Sequence, residues 1–234
     1  IVFGDWSSDV CSSDLKEETI FGEGWPYSKA KSSLLRSAAI VMREQGPRSA
    51  TLKNIAGKAG VTEPAIFRHF DGVDGLFQSL FVVMDLFYAK FNEYFKSQEF
   101  SGIFRLEAAN EKILATLKGN PEFAYVLAKP DPIFRQYAKL HVKQVEIDAK
   151  LRSATLECVK EAKSNSQLVQ GAEVEAVTTA IIGTLYQSMY NWIENIDSYD
   201  LLKEGKKALN VVYGLVKKPG IENVPPKGKA KKKS

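Results

Sequence analysis

Apolar residues recur at intervals of three and four from Leu34 to Val216, and no segment alternates with period two over a useful length. That pattern predicts an all-α fold. Its sharpest stretch is Thr51 to Phe70, TLKNIAGKAGVTEPAIFRHF. Leu52, Ile55, Ala56 and Ala59 fall on one helical stripe, Thr51 stands where an N-cap belongs, and Gly60 follows as a left-handed C-terminal residue. Thr62 is placed to cap a second helix, with Pro64 tolerated in its first turn. Ile66 and Phe70, four apart, turn inward. Two short helices, a tight turn and a polar, basic second helix describe a helix-turn-helix.

The run Gly46, Thr51, Ile55, Ala56, Ala59-Gly60-Val61, Ile66-Phe67-Arg68-His69-Phe70 and Leu76 resembles the amino-terminal domain of the tetracycline-repressor (TetR) family. The resemblance covers Ser28 to Leu76. It implies a two-part, all-helical protein: a three-helix DNA-binding head and a helical ligand-binding and dimerisation body. A plain helical hairpin has no need of Arg68-His69 or of the uncovered edge Thr62 to Ala65.

Around that stretch the periodicity predicts the remaining elements. Leu34, Leu35, Ala38, Ala39 and Met42 give a first helix, begun at Ser28 or Ser32 and ended by Gly46-Pro47. Asp71-Gly72 is a turn. A long amphipathic helix follows, its stripe running from Leu76 through Phe77, Leu80, Phe81, Met84, Phe87, Tyr88 and Phe91 to Tyr94. Five more helices are expected at 103–118, 122–128, 132–163, 172–194 and 199–216, nine in all. The last two carry more apolar surface than one core uses, which predicts a homodimer through a four-helix interface.

The ends of the chain are expected to stand outside this fold. Residues 4–15, GDWSSDVCSSDL, lack periodicity and resemble a translated sequencing adapter, so 1–15 is taken as an artefactual leader hiding the natural start. Residues 16–27 form a short arm with Gly22, Gly24 and Pro26, expected to be mobile. The head is assigned to 28–73, the body to 74–216 and a disordered lysine-rich tail to 217–234. That tail either adds nonspecific attraction to DNA or merely solubilises the protein.

Charge sharpens the division. The chain carries a formal net +4. Residues 28–73 hold eight basic and three acidic residues, whereas 74–216 are slightly acidic. A basic head on a mildly acidic body suits one end touching phosphate. With Cys11 in the leader, Cys158 is left alone. That excludes a disulfide framework or cysteine-rich metal site and suits a reducing cytoplasm. No eighteen-residue apolar run is apparent, so no membrane span is expected.

The resemblance then distributes roles. Thr51 is expected on a backbone phosphate, using the helix N-terminus. Phe67 and His69 stand where the family places an aromatic along the sugar-phosphate and a histidine on phosphate. The phenylalanine lacks the hydroxyl of the commoner tyrosine. Thr62, Glu63, Pro64, Ala65 and Arg68 form the exposed part of the recognition helix, with Arg68 the candidate for guanine O6/N7. Glu63 either accepts from cytosine N4 or stabilises its helix N-terminus. Val73 replaces the lysine that often grips phosphate, which either lowers affinity or throws more weight on Arg48, Lys53, Lys58 and the tail.

An inducer pocket is expected in the body, lined by Phe91, Phe95, Phe123, Tyr137, His141, Tyr190 and Trp192, for an apolar or aromatic ligand with one or two polar contacts. His141 is either such a contact or a satisfied core histidine. No cofactor is implied. An enzyme or carrier on a helical bundle is disfavoured. The histidines are His69 and His141 alone, neither has Glu three residues before it, and no phosphate loop or metal spacing occurs. The expected function is therefore a cytoplasmic repressor released from a palindromic operator by a small molecule. The alternative is a ligand-independent DNA-binding adaptor of the same fold.

Overall fold

The computed structural model describes residues 25–128 and 138–223. The leader, most of the arm, Tyr137 and the tail beyond residue 223 lie outside the described residues. Nine α-helices are present among those described. They are α1 (Lys29–Gln45), α2 (Leu52–Ala59), α3 (Glu63–Ile66), α4 (Gly72–Tyr94), α5 (Gly102–Lys118), α6 (Pro121–Ala128), α7 (Ala138–Ser164), α8 (Val174–Glu194) and α9 (Leu201–Val216). The only β pairing among them is an isolated antiparallel bridge between Leu168 and Lys217.

In the head, local chemistry explains the helix ends. Ser28 Oγ accepts from Lys31 N at 3.3 Å, and Thr51 Oγ1 accepts from Asn54 N at 3.3 Å. Gly60 closes α2 with φ +67°, a left-handed conformation that a side chain would strain. The recognition segment is shorter than its periodicity suggests. After one α turn it tightens through Arg68 N to Ala65 O and His69 N to Ile66 O, both i to i+3 bonds. Thr62 starts it without a side-chain cap bond. Of the arm, Trp25 and Tyr27 are described, and both pack. Trp25 Nε1 donates to Ser32 Oγ at 2.7 Å, the Tyr27 hydroxyl donates to Ser79 O at 3.3 Å, and the two rings meet edge to face.

Helix α4 joins head and body. An eighteen-residue window within it reaches a mean hydropathy of 1.3, so by length and composition it passes the test for a membrane span that the sequence was not expected to contain. Its apolar stripe is instead buried protein core. Leu76, Phe77, Leu80, Phe81, Val83, Met84, Phe87 and Phe91 are all buried, against α1, α5, α6 and α7.

The far end of the body is knitted by side-chain caps. The first amides of α5 are claimed by α7 and the loop after it: Gly102 N donates to Glu161 Oε2 at 3.0 Å, and Ile103 N to Gln167 Oε1 at 2.9 Å. Arg105 holds the same Glu161 oxygen at 2.7 Å. Gly102 adopts φ +51°, and a Cβ there would stand 2.7 Å from the Ala162 Cα. Gly102→Ala therefore combines backbone strain with a clash against α7. It is expected to cost about 2–3 kcal/mol, lowering the thermal midpoint by several degrees in a calorimetric scan.

Candidate nucleic-acid interface and ligand cleft

On the head, burial sorts the recognition segment into two sides. Ile55, Ala56, Ile66 and Phe70 are buried, while Thr62, Glu63, Pro64, Phe67 and Arg68 are exposed. Phe67 is 59% exposed, a large aromatic left in solvent beside an arginine. Ala65 and His69 are half-buried on the same segment, and Thr51 and Lys53 are exposed at the start of α2. The structure thus brings all nine sequence-predicted contact residues onto one small motif. Asn54 Nδ2 braces it by donating to Ser49 O at 2.8 Å. Of the extra cations, Lys58 is engaged with Glu44 at 3.0 Å.

The predicted pocket residues scatter more. Phe91 and Phe95 line a cleft of about 440 Å³ between α4 and α7, together with Leu86, Tyr88, Leu151 and Ala154. A second cleft of about 540 Å³ adjoins it, sharing Phe95 and Ala154 and reaching Arg105 and Cys158. Phe123 and Trp192 are buried without lining either cleft, and Tyr190 is 45% exposed on α8. His141 lies in α7 with its side chain outside the described residues, as Tyr137 is entirely. The sequence reading missed Tyr88, which lines the cleft and shares its hydroxyl with a polar knot. Tyr186 donates to Asp148 Oδ1 at 2.9 Å, and the Tyr88 and Tyr186 oxygens lie 3.2 Å apart. Burial raises the carboxyl of Asp148 above its ordinary range, against the lowering effect of the two tyrosine hydroxyls.

The cleft offers no obvious covalent chemistry. Burial pushes the Cys158 thiol up to about 11, leaving negligible thiolate near neutral pH. No group of three or more His, Cys, Asp or Glu able to hold a metal occurs among the described residues. The wall is apolar, and its nearest charges are already paired, Lys150 with Asp85 at 3.0 Å and Arg105 with Glu161.

Residues 34–80 match the family described as bacterial regulatory proteins, tetR family. Over those residues the head is similar to the TetR-family DNA-binding domain. No curated protein matches the chain. Solved structures do. The ketosteroid transcriptional regulator KstR2 of Mycobacterium tuberculosis aligns with a TM-score of 0.69 at 17% identity, over 82% of this chain and 97% of its own. SmeT of Stenotrophomonas maltophilia in complex with triclosan gives 0.66 at 18%, over 86% and 97%. FadR of Bacillus subtilis in complex with stearoyl-CoA gives 0.57 at 20%, over 79% and 98%. At such identities the likeness is one of fold, and it extends from the TetR-type head through the helical body.

Head and body also meet outside α4. Arg36 of α1 pairs with Glu122 of α6, with side chains 12% and 6% exposed, and its guanidinium lies 5.2 Å from the Phe123 ring centroid. Phe123 meets Phe87 at 5.8 Å, and Phe87 meets the cleft residue Phe91 at 6.1 Å. Removing one member of so buried a pair strands its partner's charge. Arg36→Met is expected to destabilise the protein by about 3–5 kcal/mol, and Arg36→Met with Glu122→Leu to recover most of that, as read by urea unfolding of the cycle.

Proposed function

We propose that this chain is a sequence-specific transcriptional regulator, a repressor that leaves a palindromic operator when a small apolar or aromatic molecule enters the α4–α7 cleft. The reading rests above all on the exposed edge of the TetR-type head. Phe67 and Arg68 stand in solvent on a motif whose opposite side is fully buried, so the fold presents them rather than uses them. Arg68 reads guanine, and Thr51, Phe67 and His69 hold the sugar-phosphate. Lys53 adds an ionic contact, and Thr62, Glu63, Pro64 and Ala65 shape the face that enters the major groove.

The cleft supports the sensing half of the proposal. Its volume falls in the range that small ligands occupy, and Phe91 and Phe95 give it an apolar wall. Triclosan in SmeT and stearoyl-CoA in FadR are small ligands held by proteins of the same fold. The adaptor reading draws on Phe123 and Trp192, which fill the body core instead of lining a cavity. Ligand-dependent loss of operator binding separates the two.

Pairing of two chains along α8 and α9 completes the reading, because a palindrome requires two heads about one helical turn of DNA apart. Val211 and Leu215 on α9 are 61% and 72% exposed, and Ala176, Ala180, Gly183 and Tyr190 form the exposed stripe of α8. Such a regulator works in the cytoplasm, beside its DNA. Leu215→Glu, at a site outside the monomer core, is expected to turn a sedimenting dimer into a monomer of unchanged helix content.

Selection from random duplexes by the full chain at physiological salt is expected to return a palindrome. Arg68→Ala should lose about 1–3 kcal/mol of discrimination at the guanine it reads. Random fragments that salt removes from both proteins would overturn the proposal.

A further inference from the structure

The start of α1 carries a small aromatic holder. Ser28 caps the helix, accepting from Lys31 N at 3.3 Å. Just before it, Tyr27 is tied to α4 through its hydroxyl on Ser79 O, and Trp25 to α1 through Nε1 on Ser32 Oγ. Ser32 Oγ donates in turn to Ser28 O at 3.0 Å, and the Trp25 and Tyr27 ring centroids stand 5.6 Å apart. The Tyr27 ring therefore has a fixed place. Phe70, which closes the recognition segment, supplies a second fixed ring. It is buried, and its amide donates to Ile66 O at 3.0 Å.

Lys31 lies between these rings. Its Nζ is 4.9 Å from the Tyr27 centroid and 4.9 Å from the Phe70 centroid, within the range at which an aromatic face attracts an ammonium. The side chain is half-buried, but Nζ itself stays open to solvent. Neighbouring cations are engaged by carboxylates: Arg36 by Glu122, Arg43 by Glu44 at 3.6 Å, and Lys58 by Glu44 at 3.0 Å. Lys31 forms no ion pair among the described residues, although Asp71 and Asp74 follow Phe70 closely in the chain. Aromatic faces accept no full hydrogen bond from the three N–H donors of an ammonium, so these donors are left for a partner outside the fold. Seating the stem between two rings also removes in advance part of the rotamer freedom that a lysine loses on gripping an anion.

The position selects the anion. Phe70 directly follows His69 and ends the segment whose exposed side carries Phe67 and Arg68. Thr51 and Lys53 stand on a different element, the start of α2. We propose that Lys31 is a preset phosphate anchor: held between Tyr27 and Phe70, it grips a DNA backbone phosphate at the closing end of the recognition segment. The inference rests on the reading of the head as DNA-binding. A lysine is a point charge suited to phosphate, and it acts by releasing counterions rather than by reading bases. A charge with a fixed place also fixes the register in which the segment enters the groove.

The test compares the full chain with Lys31→Gln and Lys31→Arg on the operator returned by the selection above, at about 50 to 200 mM salt. Each phosphate contact contributes roughly 0.9 to the slope of log affinity against log salt. Lys31→Gln should lower that slope by about one per bound subunit, weaken cognate and mutated operators by a similar factor, and leave the selected sequence unchanged. Lys31→Arg should keep the slope, because a guanidinium also rests on aromatic faces. Operators carrying a neutral methylphosphonate at each backbone position in turn give a second readout. One position per half-site should weaken the parent chain and leave Lys31→Gln unaffected. An unchanged slope in Lys31→Gln overturns the proposal, even if its thermal midpoint falls, since the holder would then be packing alone. Identical methylphosphonate profiles overturn it too, as does an altered sequence preference, which would put Lys31 on a base edge. If the parent chain selects no operator, the reading of the head as sequence-specific fails by itself. The same slopes on a random duplex then test Lys31, and equal slopes, or no duplex binding at all, overturn the anchor.

Discussion

Everything in this molecule depends on burying the apolar stripe of α4. The stripe runs buried from Leu76 to Phe91. Leu76, Phe77, Phe87 and Phe91 all lie in one buried cluster that also holds Leu35, Ile55 and Ile66 of the head and residues of α5, α6 and α7. Each fully buried side chain of this size contributes about 1.5–3 kcal/mol. The helix cannot shift relative to one half without giving up contacts in both. A head standing on its own core could turn freely on a linker. This one shares a core with its body, so its orientation is a property of the whole fold.

The helix-turn-helix was legible in the sequence because its determinants are local. Thr51 caps α2 as its position implies, and Gly60 takes the left-handed conformation its place after the stripe demands. The shortening of α3 was not legible, since a tightening from i+4 to i+3 bonds leaves the inward spacing of Ile66 and Phe70 unchanged. The cleft was only partly legible, for a different reason. Periodicity identifies which side of a helix is buried, but a side chain packed on neighbours and one facing a void have the same period. Phe91 and Phe123 look alike in sequence, and only packing makes one a wall of the cleft and the other a link between α6 and Arg36. The pairing of Arg36 with Glu122 joins residues too distant in the chain for any local pattern to connect them. Nor could spacing show that Gln167 caps the start of α5, or that Asn223 ties the segment after α9 to the residue before α5.

The same packing that hides these roles places the cleft wall and the head along one run of neighbouring aromatic rings. Phe91 forms part of the cleft wall and touches Phe87, Phe87 touches Phe123, and Phe123 lies under Arg36 of α1. Aromatic rings in a close-packed interior have few alternative positions, so a displaced Phe91 moves its neighbours or pays in lost contact. A ligand in the cleft can shift the head only by the difference between its affinities for the two arrangements. Glu122 is too deeply buried to be hydrated once unpaired, so separating Arg36 from it is costly. A charge pair costly to separate thus holds α1 against α6, and the rings of Phe123, Phe87 and Phe91 join that contact to the cleft wall.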